Sequence, residues 1–102
     1  MAANTPTHRR ILIVDDDRAL RHVLAELLTD AGHTVDQAAD GPEALRRLGR
    51  GAFDIVLLDI GLPGMSGLDV LAHARAAASP PIVVMMTADD TPETLLAAVR
   101  RQ

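Results

Sequence analysis

The sequence predicts an open α/β sheet of parallel strands with helices on both faces. Short, continuous apolar runs end abruptly in polar residues, which is typical of strands buried on both faces of a parallel sheet. Segments with helical periodicity alternate with these runs and give the order β-α-β-α-β-α-β-α, with connections long enough for right-handed crossovers. The chain of 102 residues has room for a single domain of this kind.

The first strand and helix follow a polar arm. Residues 1–10 contain Pro6 and no apolar run, so we expect a flexible N-terminal arm, with the folded domain over residues 11–102. Residues 11–14 form the first apolar run, which three aspartates end. Asp17 is placed to cap a helix, and Gly32 to end it. The apolar stripe of this helix consists of Leu20, Val23, Leu24, Leu27, Leu28 and Ala31.

The next two elements have weaker patterns. Residues 33–39 hold one large apolar residue, Val35, which indicates a half-exposed strand at the edge of the sheet. A second helix starts at Gly41-Pro42-Glu43, because proline suits the first helical position, and we expect Gly49 and Gly51 to end it.

The third strand is the apolar run at residues 55–58, which ends in Asp59. A loop rich in turn residues follows it. Ser66, with Asp69 three residues later, then has the spacing of a capping box and predicts the start of a third helix. Its expected apolar residues are Leu68, Leu71 and Ala74.

The fourth strand is the run at residues 82–86, which ends in Thr87. Thr91 and Pro92 then predict a fourth helix, because threonine is a good N-cap and proline suits the first turn. Its apolar positions are Leu95, Leu96 and Val99.

Composition excludes several functions. The chain has no cysteine, which rules out disulfides, thiolate catalysis and cysteine-bound metals within it. The formal net charge of -4 disfavours nucleic-acid binding, so we expect none by this segment. No apolar run approaches the length of a membrane span, and the N-terminus lacks the apolar region of a signal peptide. We therefore expect a cytoplasmic protein with no membrane contact.

Acidic residues follow two of the predicted strands. Asp15, Asp16 and Asp59 lie at carboxyl ends of strands, as does Thr87, and ligands of open α/β sheets bind at this edge. Two carboxylates about 4 Å apart repel each other by roughly 4 kcal/mol at an effective dielectric constant near 20. Either one of them keeps its proton with a raised pKa, or a divalent cation lies among them. Oxygen ligands alone point to Mg²⁺.

Three motifs together carry a family resemblance. Ile11-Leu12-Ile13-Val14-Asp15-Asp16-Asp17 comes first, then the third strand with Leu62-Pro63-Gly64-Met65-Ser66-Gly67-Leu68, then Val84-Met85-Met86-Thr87-Ala88. In this order and with helical segments between them, they resemble the receiver domain of bacterial two-component response regulators. The resemblance covers the whole chain after the arm. It implies a flavodoxin-like sheet with strand order 2-1-3-4.

The resemblance also implies a function. Asp59 would be the phosphoacceptor, taking a phosphoryl group from a phosphohistidine of a sensor histidine kinase or phosphotransfer protein. Asp15 and Asp16 would bind Mg²⁺ together with Asp59 and the backbone carbonyl of Gly61. The protein would then be a signalling module that switches a downstream output, with only its own phosphorylation and dephosphorylation as chemistry.

The switch is expected at the end of the fourth strand. The resemblance implies that the hydroxyl of Thr87 turns toward the phosphoryl group and that the amide of Ala88 also donates to it. Glycine stands at position 61, where the family often has a polar residue, so side-chain control of dephosphorylation is expected to differ.

The chain departs from the family pattern at its end. Receivers normally continue past the fourth helix into a fifth strand with a Lys-Pro pair and a fifth helix, and this chain contains no lysine. We therefore expect a receiver truncated at its C-terminus, without the fifth strand and helix. The fourth strand would then be an open edge, and copies of the chain would associate through it or through the fourth helix.

Two alternatives also fit these residues. One is a pseudo-receiver, a binding module that keeps the fold and the acidic pocket without phosphorylation. The other is a Mg²⁺-dependent phosphohydrolase of the haloacid-dehalogenase type, because Asp15 and Asp17 have the spacing of its two aspartates. Ala19 and the missing lysine argue against the second.

Overall fold

The fold is a four-stranded parallel sheet with four helices, seen in a computed structural model that describes residues 8–102. The strand order is β2-β1-β3-β4, and each neighbouring pair is parallel. This confirms the predicted fold class and order. The elements are β1 (Arg10–Val14), α1 (Arg18–Asp30), β2 (Thr34–Ala38), α2 (Gly41–Arg50), β3 (Ile55–Asp59), α3 (Gly67–Arg75), β4 (Ile82–Met86) and α4 (Pro92–Arg100).

The first strand begins one residue earlier than predicted. The amide of Arg10 donates to Asp54 Oδ2 at 2.7 Å, and its guanidinium lies 5.3 Å from the centre of the Phe53 ring. Arg10 thus belongs to the sheet. Of the predicted arm over residues 1–10, residues 1–7 lie outside the described part of the chain, and their flexibility stays a prediction.

Each central strand alternates its side chains between two cores. Ile11 and Ile13 of β1 face one core, whereas Leu12 and Val14 face the other. Because β1 and β3 are covered on both faces, all four apolar positions of each are fully buried. The first core contains helix residues Leu24, Leu28, Leu95 and Val99, and the second contains Ala44 and Val70.

The start of α1 confirms the predicted cap. Asp17 is the N-cap, and its side chain accepts the amide of Leu20 at 3.1 Å. The buried stripe is narrower than predicted, because Val23 is 46% exposed while Leu24 is 1% exposed. Gly32 has φ +98°, a conformation that glycine adopts at low cost, directly after the helix.

The ends of the two middle helices differ in detail from the prediction. Gly49 lies inside α2, whose C-cap is Gly51. Ser66 is the N-cap of α3, as predicted, and accepts the amide of Asp69. The predicted apolar residue Ala74 is buried, together with Val70, whereas Leu68 is 63% exposed and does not belong to the buried face.

Helix α4 packs on the same face of the sheet as α1. Leu95 and Val99 share a core with Leu24 and Leu28, whereas α2 and α3 lie on the opposite face. A right-handed crossover that carried the chain from β4 to a further strand beside it would run on the face of α3. Helix α4 instead covers the face of the sheet on which α1 packs, and β4 lies at the edge of the sheet. No helix within residues 8–102 is long and apolar enough to cross a membrane.

Acid is expected to weaken the contact between His33 and the start of β1. His33 Nδ1 accepts the amide of Arg9 at 3.1 Å, which requires an unprotonated ring nitrogen. Burial, followed by the charges of His8 and Arg9, lowers the pKa of His33. A histidine with a lower pKa in the folded chain than in the unfolded chain contributes stability above its unfolded-state pKa. This contribution is lost as pH falls. The contribution of His33 to the free energy of unfolding should therefore decrease from about pH 7.5 to about pH 5.5.

Denaturant unfolding at several pH values measures this effect. The decrease should be smaller in His33→Gln and preserved in His73→Gln, since His73 is exposed on α3. Equal slopes in both variants would contradict the assignment to His33.

Candidate functional site

The carboxyl ends of β1, β3 and β4 meet around one acidic pocket. Its volume is about 320 Å³, and its lining includes the predicted site residues Asp15, Asp16, Asp59, Thr87 and Ala88. Asp15, Asp16 and Asp59 each have a carboxylate oxygen within 4.8 Å of one from each of the other two. The structure therefore brings the three predicted acids together, because parallel strands end at the same edge.

A larger cavity lies elsewhere and lacks this chemistry. It measures about 610 Å³ and lies between the C-terminal ends of α2 and α3. Its lining is rich in alanine and includes Phe53 and His73, but no carboxylate from the described part of the chain. We place the functional site in the smaller pocket, because that is where groups able to bind a cation or attack a substrate converge.

Asp15 is the buried member of the cluster, with 5% of its surface exposed. Its amide donates to the carbonyl of Ala38 at 3.1 Å, and its Oδ1 accepts the amide of Asp17 at 2.8 Å. Burial raises the pKa of Asp15, and the negative charges of Asp59, Asp16 and Asp17 raise it further, against the lowering effect of the Asp17 amide. The folded chain thus disfavours the ionised form of Asp15 when no cation is bound.

Asp15→Asn is expected to stabilise the metal-free protein by about 0.5–2 kcal/mol. A raised carboxyl pKa favours folding below the ordinary pKa, and this contribution is lost as pH rises through the raised value. At neutral pH, Asp15→Asn removes the cost of holding an ionised carboxylate at this buried position, while the asparagine oxygen still accepts the amide of Asp17. Unfolding in EDTA measures the change. A less stable variant at pH 7, or a gain that persists at pH 3, would contradict the explanation.

Asp59 ends β3 and is half-buried. Its Oδ1 accepts the amide of Gly61 at 2.9 Å, which orients the carboxylate. The first residue of α3 lies directly against its backbone: a Cβ at Gly67 would be 2.6 Å from the carbonyl oxygen of Asp59. The position of Asp59 therefore depends on close packing between the end of β3 and the start of α3.

The other predicted site residues have different placements. Thr87 and Ala88 line the pocket directly after β4, and both are exposed. Within the described chain, neither the hydroxyl of Thr87 nor the amide of Ala88 forms a hydrogen bond. Gly61 contacts the site through its amide on Asp59 and is not among the residues that line the pocket.

Sequence reasoning missed two residues near the site. Asp90 lines the pocket, and its Oδ2 accepts the amide of Thr87 at 2.8 Å. Its position three residues after Thr87, in a polar turn, was a usable signal. Arg21 donates from Nη1 to the carbonyl of Asp15 at 2.7 Å. The sequence could have indicated Arg21 as well, because a charged residue three positions before Leu24 lies on the apolar face of α1.

The ligand set suits a hard divalent cation. Three carboxylates offer oxygen atoms within coordinating range of one another, and none of the histidines in residues 8–102 lines the pocket. Oxygen ligands of this kind suit Mg²⁺, which takes one or two carboxylates together with water and phosphate oxygens. The residues present therefore fit the ion that the sequence predicts.

Sequence comparisons identify relatives of this chain. Residues 11–102 match the family described as "Response regulator receiver domain". The chain is 48% identical over 81 residues to the sensory transduction protein RegX3 of Mycobacterium tuberculosis, and the match covers 79% of this chain and 35% of RegX3. This chain thus spans about a third of the length of that relative.

Solved structures show the same architecture. The chemotaxis response regulator CheY4 of Vibrio cholerae superposes with a TM-score of 0.79 at 28% identity, over 93% of this chain and 98% of CheY4. The response regulator TrrA of Thermotoga maritima, solved in complex with Mg²⁺-BeF, has a TM-score of 0.73 at 36% identity, over 90% of this chain and 80% of TrrA. TrrA has also been solved in complex with the histidine kinase ThkA. By its sequence and by its acidic pocket on a 2-1-3-4 sheet, this chain belongs to the response regulator receiver domain family.

Proposed function

We propose that the chain is the phosphoacceptor module of a two-component response regulator, with Asp59 as the acceptor. The observation that carries this proposal is the geometry of the cluster: Asp59 ends a buried strand within 4.8 Å, oxygen to oxygen, of Asp15 and Asp16. The donor is a phosphohistidine on a sensor histidine kinase or phosphotransfer protein. The TrrA–ThkA complex supports a kinase as the partner.

Asp59 acts as the nucleophile. One oxygen of its carboxylate attacks the phosphorus, a P–O bond forms, the P–N bond to the histidine breaks, and the imidazole leaves with that electron pair. The amide of Gly61 holds Oδ1, so Oδ2 is the oxygen that is free to attack. Asp15, Asp16, Asp59 and the carbonyl of Gly61 would hold Mg²⁺, which when bound offsets the negative charge of the phosphoryl group.

The loop after β4 reports the modification. The hydroxyl of Thr87 and the amide of Ala88 donate to the phosphoryl oxygens, and this draws the loop toward Asp59. That movement competes with the hydrogen bond from the Thr87 amide to Asp90, at 2.8 Å. The downstream output would lie in a further part of a longer protein, as the length of RegX3 suggests.

The described part of the pocket has no basic side chain, whereas the family resemblance implies a lysine. No lysine or arginine lines the pocket within the described residues, and the chain contains no lysine at all. A hydrogen bond to a charged group contributes about 1.5–3 kcal/mol. Moving a two-state conformational equilibrium from 1:99 to 99:1 requires about 5.5 kcal/mol of differential stabilisation. We therefore propose that the 102-residue chain, taken alone, switches less completely than it would with such a lysine in the pocket.

Incubation with acetyl phosphate and Mg²⁺ tests the phosphoacceptor function. Intact-mass analysis should show an acid-stable, base-labile adduct, and peptide mapping after borohydride trapping should locate it at Asp59. An adduct at Asp15 would favour the phosphohydrolase alternative. If Asp59 stays unmodified with both acetyl phosphate and a kinase donor, the chain is a pseudo-receiver and the proposal is wrong.

We also propose that two copies of the chain pair through β4. The strand lies at the edge of the sheet, its five residues are all apolar, and Ile82 is 44% exposed. It has none of the charges or prolines that protect edge strands. A second copy of β4 offers the same backbone donors and acceptors. Helix α4 is a weaker candidate for this contact, because its apolar residues already pack in the core that it shares with α1.

Light scattering across a concentration series tests the pairing. The chain should move from monomer to dimer, and Ile82→Lys should shift that transition to higher concentration. A monomer at every concentration would refute the proposal.

A further inference from the structure

We propose that Arg21 is a positioning residue for the metal-binding loop at residues 15–17, an inference that rests on the proposed Mg²⁺-dependent function. Arg21 lies in the first turns of α1, and its amide donates to the carbonyl of Asp17. Its Nη1 reaches back to the carbonyl of Asp15 at 2.7 Å, a short hydrogen bond from a charged donor. One side chain of the helix thus holds the backbone of the loop that carries the acids.

This contact completes the restraint of Asp15. Its amide is held by Ala38 of β2, and its Oδ1 is held by the amide of Asp17. The carbonyl that Arg21 holds belongs to the peptide group between Asp15 and Asp16. Because that group is planar, fixing the carbonyl also fixes the direction in which the Asp16 backbone leaves the strand. Arg21 thereby restricts where the Asp16 carboxylate can lie relative to that of Asp15.

The environment of Arg21 argues against a role in stability alone. Arg21 is half-buried, its Nε is buried without a hydrogen-bond partner, and neither ion pair among residues 8–102 includes it. A charged group costs free energy when it is buried without full pairing. Leu24 and Leu28 follow it on the same face of α1, where an apolar residue would pack without that cost. The hydrogen bond to Asp15 is the feature that an apolar residue would lose.

Mg²⁺ titration of the whole chain by calorimetry tests the proposal. Outer-shell residues that orient metal ligands change metal affinity by about 10–100-fold when replaced. We expect Arg21→Gln to bind Mg²⁺ at least about 10-fold more weakly, and Arg21→Lys, which keeps a charged donor, to recover part of the affinity. Arg18→Gln is the matched control, because Arg18 is exposed on the same helix and outside the pocket lining.

A second readout separates positioning from stability. In phosphorylation by acetyl phosphate, the Mg²⁺ concentration for half-maximal rate should rise in Arg21→Gln, while the rate at saturating Mg²⁺ is retained. A lower melting temperature in EDTA with unchanged Mg²⁺ affinity would overturn the proposal and leave the proposed function standing. If Arg21→Gln does not fold, Arg21→Met takes its place, because methionine lacks a donor and suits the apolar face shared with Leu24 and Leu28, and Mg²⁺ affinity equal to that of the wild-type chain in this variant overturns the proposal. A wild-type chain that binds no Mg²⁺ refutes the proposed function, and this inference with it.

Discussion

Asp59→Asn should reduce phosphorylation by acetyl phosphate to background. Asparagine fills nearly the same volume and its oxygen still accepts the amide of Gly61, so the fold is retained while the carboxylate nucleophile is lost. Mass spectrometry of the intact protein measures the adduct after a fixed incubation with Mg²⁺. The matched control is Asp30→Asn, an exposed aspartate at the far end of α1, which should label like the wild-type chain.

An undiminished adduct on Asp59→Asn would refute the assignment of the acceptor. The position of that adduct would also be informative, because Asp15 and Asp16 lie within reach of the same small donor. Circular dichroism and thermal unfolding of the variant show whether a lost adduct reflects lost chemistry. A folded variant without the adduct is the expected result.

Gly67→Ala should lower the free energy of unfolding by about 1–3 kcal/mol, the usual cost of overpacking. Its Cβ would lie 2.6 Å from the carbonyl oxygen of Asp59 and 3.1 Å from the Cα of Ile60, so the backbone must shift. Because the shift acts on the residue that bears the acceptor, labelling by acetyl phosphate should also slow. Denaturant unfolding and the labelling rate measure the two effects.

Gly49→Ala is the matched control for this change. It lies in α2, and a Cβ there has no heavy atom within 4 Å. Alanine at such a helical position should raise the free energy of unfolding by up to about 1 kcal/mol, because glycine is a poor helix former. If Gly67→Ala were as stable as the wild-type chain, the close packing of α3 against β3 would not constrain Asp59.

The central strands were predictable because a strand that is buried on both faces is apolar at every position. Residues 11–14 and 55–58 are apolar without interruption, and the structure buries every one of them. The polar residues that end these runs had to meet at one edge, since parallel strands share a direction. The acidic cluster followed from that geometry alone.

Finer details depended on contacts between elements distant in sequence. Val23 and Leu68 match a helical period yet face solvent, because the neighbouring elements cover only part of each helix. The role of Arg21 required knowing that its side chain reaches the carbonyl of Asp15. A periodic pattern indicates which residues of a helix lie on one face, and it carries no information on what that face contacts.

By itself the sequence determined the order of the elements, the strand order implied by the family resemblance, and the acids at one edge of the sheet. Only the tertiary structure decided that α4 packs beside α1, on the face of the sheet opposite α2 and α3. The physical reason is that an apolar stripe requires burial but does not select a partner. Leu95 and Val99 would satisfy their pattern on either face of the sheet, and the choice depends on which face still has apolar surface to cover.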